Sequence, residues 1–152
     1  MRSMLFFAFI FALFVPGFAT AASGVTITLD VRNFPTNGSD GYTDTTASNG
    51  HVYSYKYSGG NGKKGGDVEF DKADGHNTTV VLHLHSDARY TINNVAFPVD
   101  PNSQLSQPNP HAPTTATIQD KNEVVQTATY KVSVKDSTAN TTFPCDPQII
   151  NK

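Results

Sequence analysis

Apolar and polar residues alternate along several stretches of this chain, and this period of two is the feature that most restricts its fold. Val25, Ile27, Leu29 and Val31 are each separated by a single polar residue. Successive side chains of a strand point to opposite faces, so the pattern predicts a half-buried strand. Similar patterns predict further strands over residues 52–58, 68–71, 78–85, 90–97, 114–119, 124–135 and 141–151. No segment sustains a helical period, and the chain is predicted to be all-β.

Turn signals recur at roughly ten-residue intervals between these segments, which is typical of a sandwich or barrel. Residues 98–113 carry five of the nine prolines and are predicted to form a long crossover loop, because proline cannot pair in a central strand. The Asn93-Asn94 pair indicates a bulge or a register change within the predicted strand at 90–97. We therefore expect one domain over residues 22–152, an immunoglobulin-like, Greek-key β-sandwich of about seven to nine antiparallel strands.

The first 21 residues have the composition of a signal peptide. Arg2 supplies a positive charge, residues 5–18 are mostly apolar, and Ala19 and Ala21 fit the small-residue positions of a cleavage site. The apolar run is shorter than the roughly 20 residues of a comfortable membrane span, which disfavours the alternative of an uncleaved anchor. We expect cleavage after Ala21, a secreted or periplasmic mature protein, and no membrane span after cleavage.

Charge and cysteine content exclude several classes of protein. The net charge is −2, and Lys63-Lys64 is the only basic pair, so nucleic acid is not an expected partner. Cys145 is the only cysteine, which excludes an intramolecular disulfide. An exported domain without disulfides must be stabilised by its apolar core.

The motifs of common enzymes are missing from the chain. G-x-S-x-G, H-E-x-x-H and C-x-x-C do not occur. Residues 60–65 match G-x-G-x-x-G, but a strand pattern follows where a dinucleotide fold needs a helix. Nothing in its neighbourhood marks Cys145 as an activated thiol. We expect a protein that is not an enzyme and that carries no cofactor.

His83 and His85 are the candidate metal ligands. They lie two residues apart on a predicted strand, so both rings project from one face. Two imidazoles can hold Cu²⁺ or Zn²⁺ if a third ligand converges on them. A blue-copper site is disfavoured, because neither histidine nor methionine follows Cys145. The alternative is a pair of histidines on a partly exposed sheet face.

Two further stripes are open to more than one interpretation. Tyr53, Tyr55 and Tyr57 share a face, which is either the core side of a sheet or a surface that stacks sugars or anchors a partner. Their neighbours Ser54, Lys56 and Ser58 look solvent-facing, which favours the core. Asp67, Glu69 and Asp71 also alternate, and they predict a solvated strand face more than a Ca²⁺ site.

The C-terminal part resembles the DP-EP family of small bacterial proteins. The resemblance lies in residues 129–136, a hairpin, and residues 146–151, which begin with Asp146-Pro147, and residues 118–122 fit the preceding strand and turn. Pro144-Cys145 and the glycine-rich loop have no counterpart in that pattern. The resemblance implies an immunoglobulin-like β-sandwich and no established activity. We also expect Asp146-Pro147 to start or bend an edge strand, where proline costs no ladder bond.

These observations lead to two functional hypotheses. The first is an exported, non-enzymatic binding or interaction module whose ligand is an unknown protein or glycan. The alternative is a periplasmic or extracellular copper- or zinc-binding β-sandwich that uses His83 and His85. Metal content of the mature protein separates the two.

Overall fold

A computed structural model describes residues 23–152, and the predicted signal peptide at residues 1–21 lies outside the described residues. The described chain is almost entirely β-structure, with a single 3-10 turn at Lys72–Asp74. Its eleven strands are β1 Gly24–Arg32, β2 Thr43–Thr46, β3 Val52–Gly59, β4 Val68–Phe70, β5 Thr78–Leu84, β6 Tyr90–Val99, β7 Leu105–Ser106, β8 Thr115–Asp120, β9 Gln126–Asp136, β10 Thr141–Cys145 and β11 Gln148–Asn151. No helix in residues 23–152 is long and apolar enough to cross a membrane.

The strands form two sheets that face each other across one apolar core. The first sheet has the order β2-β3-β1-β5-β8-β7. In the second sheet, β9 is the central strand and pairs with β6 on one side. On its other side β9 pairs with β10 along one half of its length and with β11 along the other half, and β4 pairs with the far edge of β11. The rings of Tyr53 in β3 and Phe143 in β10 stack across the core with centroids 4.3 Å apart. The all-β, sandwich-like prediction is confirmed.

Two details of the predicted architecture are wrong. The structure has eleven strands rather than about seven to nine, because β2 and β7 are short segments without an apolar alternation and the predicted strand at 141–151 is divided into β10 and β11. The sheets are mixed rather than antiparallel, since β1 pairs in parallel with β5 and β4 pairs in parallel with β11. Side-chain periodicity reports which face of a strand is buried, and it carries no information about the direction of the neighbouring strand.

The strands with the clearest alternation lie where the sequence predicts them. In β5, Val80 and Leu82 are fully buried, and in β9 the same holds for Tyr130, Val132 and Val134. The predicted irregularity in β6 is also confirmed, because the register with β9 shifts between Ile92 and Asn94. The predicted crossover loop at residues 98–113 is interrupted by β7, which pairs with the end of β8.

The tyrosine stripe of β3 faces the core as predicted, but the opposite face is not uniformly exposed. Tyr53 and Tyr57 are buried, and each hydroxyl has a partner, the carboxylate of Asp136 at 2.9 Å and the carbonyl of Cys145 at 3.3 Å. Ser54 is fully buried instead of solvent-facing, because the Arg32 side chain covers it and donates a hydrogen bond from Nε at 2.8 Å.

Asp146-Pro147 separates β10 from β11, and both strands run along the same side of β9. This dipeptide is predicted to start or bend an edge strand, and the structure agrees for the strand before it, β10, but not for the strand after it, β11. β10 pairs with β9 alone and is an edge, whereas β11 lies between β9 and β4. The break lets the chain pass from an edge position to an interior one. Pro147 lies in the gap, where its carbonyl accepts from the Tyr130 N–H at 3.4 Å and its missing N–H removes no bond of the β10 or β11 ladders.

Candidate functional site

An open cleft of about 370 Å³ lies beside β3, and we name it the Tyr55 cleft. Three elements converge there: β3, the glycine-rich loop before β4, and the break between β10 and β11. The polar residues that line it include Tyr55, Lys56, Lys64, Asp67 and Asp146. The lining is therefore mostly polar, with an aromatic ring and charges of both signs.

Tyr55 lies in the cleft because of its place in the tyrosine stripe. Its ring is half-buried and stands edge-on to Tyr57, with centroids 5.8 Å apart. Its hydroxyl oxygen accepts a hydrogen bond from the Asp146 N–H at 3.4 Å. Burial raises the pKa of Tyr55, so the phenol is neutral and can still donate its proton to a ligand.

The glycine-rich loop forms one wall because its glycines allow close packing on Tyr57. Gly66 has a φ of +85°, and a Cβ there would lie 2.6 Å from Cγ of Tyr57. A Cβ on Gly65 would lie 2.4 Å from the Tyr57 carbonyl oxygen. The Gly66 carbonyl also accepts a hydrogen bond from the Tyr130 hydroxyl at 2.9 Å. The loop is thus tied to the core and holds Lys64 at the cleft. Strand β4 follows it, and the loop lacks the helix of a dinucleotide site.

Lys56 and Asp146, two of the charged residues that line the cleft, make long and exposed contacts. Lys131 Nζ lies 3.7 Å from the Asp146 carboxylate, and both side chains are about half exposed. Lys56 donates a hydrogen bond to the Asp40 carbonyl at 3.3 Å. Exposed pairs of this kind contribute little to stability and exchange readily with a competing polar group. The cleft can therefore offer both donors and acceptors to a hydroxyl-rich ligand.

His83 and His85, the predicted metal ligands, are both exposed to solvent. In β5, His83 is in register with Thr28 of β1 and Thr115 of β8, and the Thr115 hydroxyl lies 3.4 Å from its Nδ1. His85 follows the end of β5, and its N–H donates to the Leu29 carbonyl at 2.8 Å. Within residues 23–152, no three side chains of histidine, cysteine, aspartate or glutamate gather as a metal site.

We expect the variant carrying His83→Ala and His85→Ala to be as stable as the wild type, with or without Cu²⁺ or Zn²⁺. A two-histidine site with a converging third ligand should bind at micromolar affinity or better, about 8 kcal/mol. Two exposed imidazoles alone should bind only weakly. Titration calorimetry and thermal melts of both proteins check this. Tight, stoichiometric binding that is lost in the variant would establish the copper or zinc alternative.

The other side chains singled out in the sequence are not brought together. Cys145 is fully buried, and burial raises the pKa of its thiol well above the ordinary value. In the acidic stripe, Glu69 pairs with Lys152, and the Asp71 N–H donates to the Asp74 carboxylate in the 3-10 turn. The Cys145 thiol is therefore a core side chain. Glu69 and Asp71 contact different partners and do not face a common site.

No protein-family model matches this chain, and no curated protein matches it. The resemblance to the DP-EP family therefore rests on the residues that carry it, at 118–122, 129–136 and 146–151.

Proposed function

We propose that this chain is an exported, non-enzymatic binding module that takes a glycan in the Tyr55 cleft. The observation that carries the proposal is the pairing of a half-buried aromatic ring with flexible charged groups in one open cavity. Aromatic rings pack against the apolar face of a sugar ring. Carboxylates and ammonium groups beside the ring accept from and donate to its hydroxyls.

The size and the lining of the cleft favour a saccharide over other ligand classes. A volume of about 370 Å³ falls in the lower part of the range for small-molecule sites and would take one or two sugar rings. Apolar metabolites prefer pockets lined mainly by hydrophobic side chains, whereas Lys56, Lys64 and Asp146 make this one polar. A protein partner would need a much wider contact surface around it.

Export is part of the proposal and rests on the N-terminal sequence. Residues 1–21 have the charge, apolar run and small residues of a cleavable signal, which supports a secreted or periplasmic protein. We also propose that the two sheets have the immunoglobulin-like, Greek-key arrangement that the DP-EP resemblance implies. It is supported by the path of the chain, which leaves the second sheet after β6, forms β7 and β8 in the first sheet, and returns as β9 beside β6.

We expect Lys64→Ala to weaken glycan binding while Lys63→Ala leaves it unchanged. Both lysines are exposed in the same loop, but only Lys64 lines the cleft. A hydrogen bond to a charged group contributes about 1.5–3 kcal/mol, so the Lys64 variant should lose roughly tenfold in affinity or more. A glycan array identifies the saccharide, and titration calorimetry with that saccharide then measures both variants.

Tyr55 supplies a second comparison within the same experiment. Tyr55→Phe keeps the ring and removes the hydroxyl, whereas Tyr55→Ala removes the stacking surface. If a sugar ring stacks on Tyr55, the alanine variant should lose far more affinity than the phenylalanine variant. Glycan binding that survives in the alanine and Lys64 variants would place the site elsewhere, and no binding to any glycan would contradict the proposal.

A further inference from the structure

A buried group of polar side chains lies where β8 and β11 end, and the proposed glycan cleft does not include it. Asp120 is the last residue of β8, Asn151 is the last residue of β11, and Asn122 lies in the turn after β8. Their exposed fractions are 0, 2 and 2 %. We call these three residues the polar corner. Polar groups buried this deeply need partners, because each unpaired one costs free energy.

The side-chain nitrogens of the polar corner donate hydrogen bonds, whereas three of its side-chain oxygens have no donor. Asp120 Oδ1 accepts from the Asn122 N–H at 2.9 Å and from Asn151 Nδ2 at 3.1 Å. Asn122 Nδ2 donates to the carbonyls of Asp71 and Gly75 at 2.8 and 3.0 Å. These bonds distinguish Nδ2 from Oδ1 in the side chains of Asn122 and Asn151, because only the nitrogen can donate. Among the described residues, Asp120 Oδ2, Asn122 Oδ1 and Asn151 Oδ1 are then buried without any donor.

The charge of the polar corner is also uncompensated. In residues 23–152, no lysine, arginine or histidine forms an ion pair with Asp120. Asp100 adds a second negative charge close enough to act on Asp120. The Asp100 carboxylate itself accepts from the N–H groups of Gln104 and Leu105 and from Gln126 Nε2. A buried carboxylate without a cation is costly, and either a proton, which burial favours by raising the pKa of Asp120, or a bound cation would remove that cost.

We infer that the polar corner binds a hard cation, Ca²⁺, through the oxygens of Asp120, Asn122 and Asn151. Carboxylate and amide oxygens are the ligands that Ca²⁺ prefers, and backbone carbonyls and waters complete its shell of about six to eight. One ion within reach of all three oxygens would satisfy them and would balance the charge of Asp120. A single water molecule has two hydrogens for three acceptors and brings no charge. The ion would join the ends of β8 and β11, so its effect should appear as stability.

The test uses the full mature protein freed of metal with a chelator. On addition of millimolar Ca²⁺, we expect one bound ion per chain by elemental analysis and a rise of several degrees in melting temperature, because a ligand of the folded state stabilises it. Asp120→Asn keeps the shape and removes the charge, and it should weaken Ca²⁺ binding at least about tenfold. Glu123→Gln removes the same charge from an exposed neighbour in the same turn, and it should bind like the wild type.

Asn151→Asp keeps the test decisive if the Asp120 variant does not fold. A second carboxylate beside Asp120 should repel it in the metal-free protein and strengthen binding of the ion. The gap in melting temperature between Ca²⁺ and chelator should therefore widen relative to the wild type. A wild-type melting temperature that does not respond to Ca²⁺ overturns the inference in favour of buried water. Equal loss of binding in the Glu123 and Asp120 variants overturns it as well, and neither outcome bears on glycan binding in the Tyr55 cleft.

Discussion

Val132→Asp should cause the largest loss of stability of any change considered for this protein. Val132 is fully buried in β9, in register with Cys145 of β10 on one side and Val95 of β6 on the other. The new carboxylate would have no water and no cationic partner at that position, at a cost of several kcal/mol. Since the total stability of a domain is about 5–15 kcal/mol, this single change removes much or all of it. Urea denaturation followed by tyrosine fluorescence measures the loss.

The matched control is Thr127→Asp. Thr127 belongs to the same strand, but it is exposed on the opposite face, so an identical charge meets water there. We expect that variant to unfold within about 0.5 kcal/mol of the wild type. If Val132→Asp were as stable as Thr127→Asp, the inner face of β9 would be assigned incorrectly.

Asp136→Ala should destabilise the protein by about 3 kcal/mol. The carboxylate of Asp136 is fully buried at the end of β9, and one oxygen accepts from the Tyr53 hydroxyl at 2.9 Å and from Arg89 Nη2 at 2.8 Å. The other accepts the N–H groups of Thr138 and Ala139 at 2.9 and 3.2 Å. Alanine would leave all four donors without their acceptor. As a contrast, Asp146→Asn breaks only the exposed pair with Lys131 and should cost at most about 1 kcal/mol.

The same carboxylate should make stability depend on pH. Burial alone would raise the pKa of Asp136, but the hydrogen bonds from Ala139, Tyr53 and Thr138 and the charge of Arg89 outweigh it and lower the pKa below 3.8. The folded state then binds fewer protons than the unfolded state. The stabilisation is complete at pH values above the ordinary carboxyl range, and it is lost as the pH falls through 3.8 toward the lowered value. Acid denaturation of Asp136→Asn should show a shallower loss over that window than the wild type.

The strands that could be predicted from the sequence are those with one apolar face and one polar face. β1, β5 and β9 bury every second residue, and the alternation fixes both their existence and their register against the core. β2, at Thr43–Thr46, could not be found this way, because all four residues are polar and it is held by backbone pairing with β3. The parallel partners of β1 and β4 could not be found either, since each pairing is set by the topology of the whole chain.

The candidate sites were predictable to different degrees. Tyr55 stands out in the sequence as part of an aromatic stripe, but only the approach of the glycine-rich loop and Asp146 turns its ring into the wall of a cleft. The polar corner gives almost no signal, because Asp120 and Asn122 look like an ordinary turn. Asn151 lies far from both in sequence, and packing of β11 against β9 brings it to them. Long-range contacts of this kind have no local pattern.

The position of β11 between β9 and β4 also sets a constraint on the timing of folding. β4, at Val68–Phe70, forms its ladder with β11, at Gln148–Asn151, so the second sheet cannot be completed until the chain has been synthesised to that point. Until then β4 is held by contacts that are close in sequence. One of these is the Asn61 side chain, which donates to the Glu69 carbonyl and accepts from the Glu69 N–H, on the edge of β4 that faces away from β11. Pairing over such a separation carries a high entropic cost and forms slowly. The first sheet needs no residue beyond Asp120, so we expect the two sheets to be completed at different times, with the strand pairs around β11 the last to form.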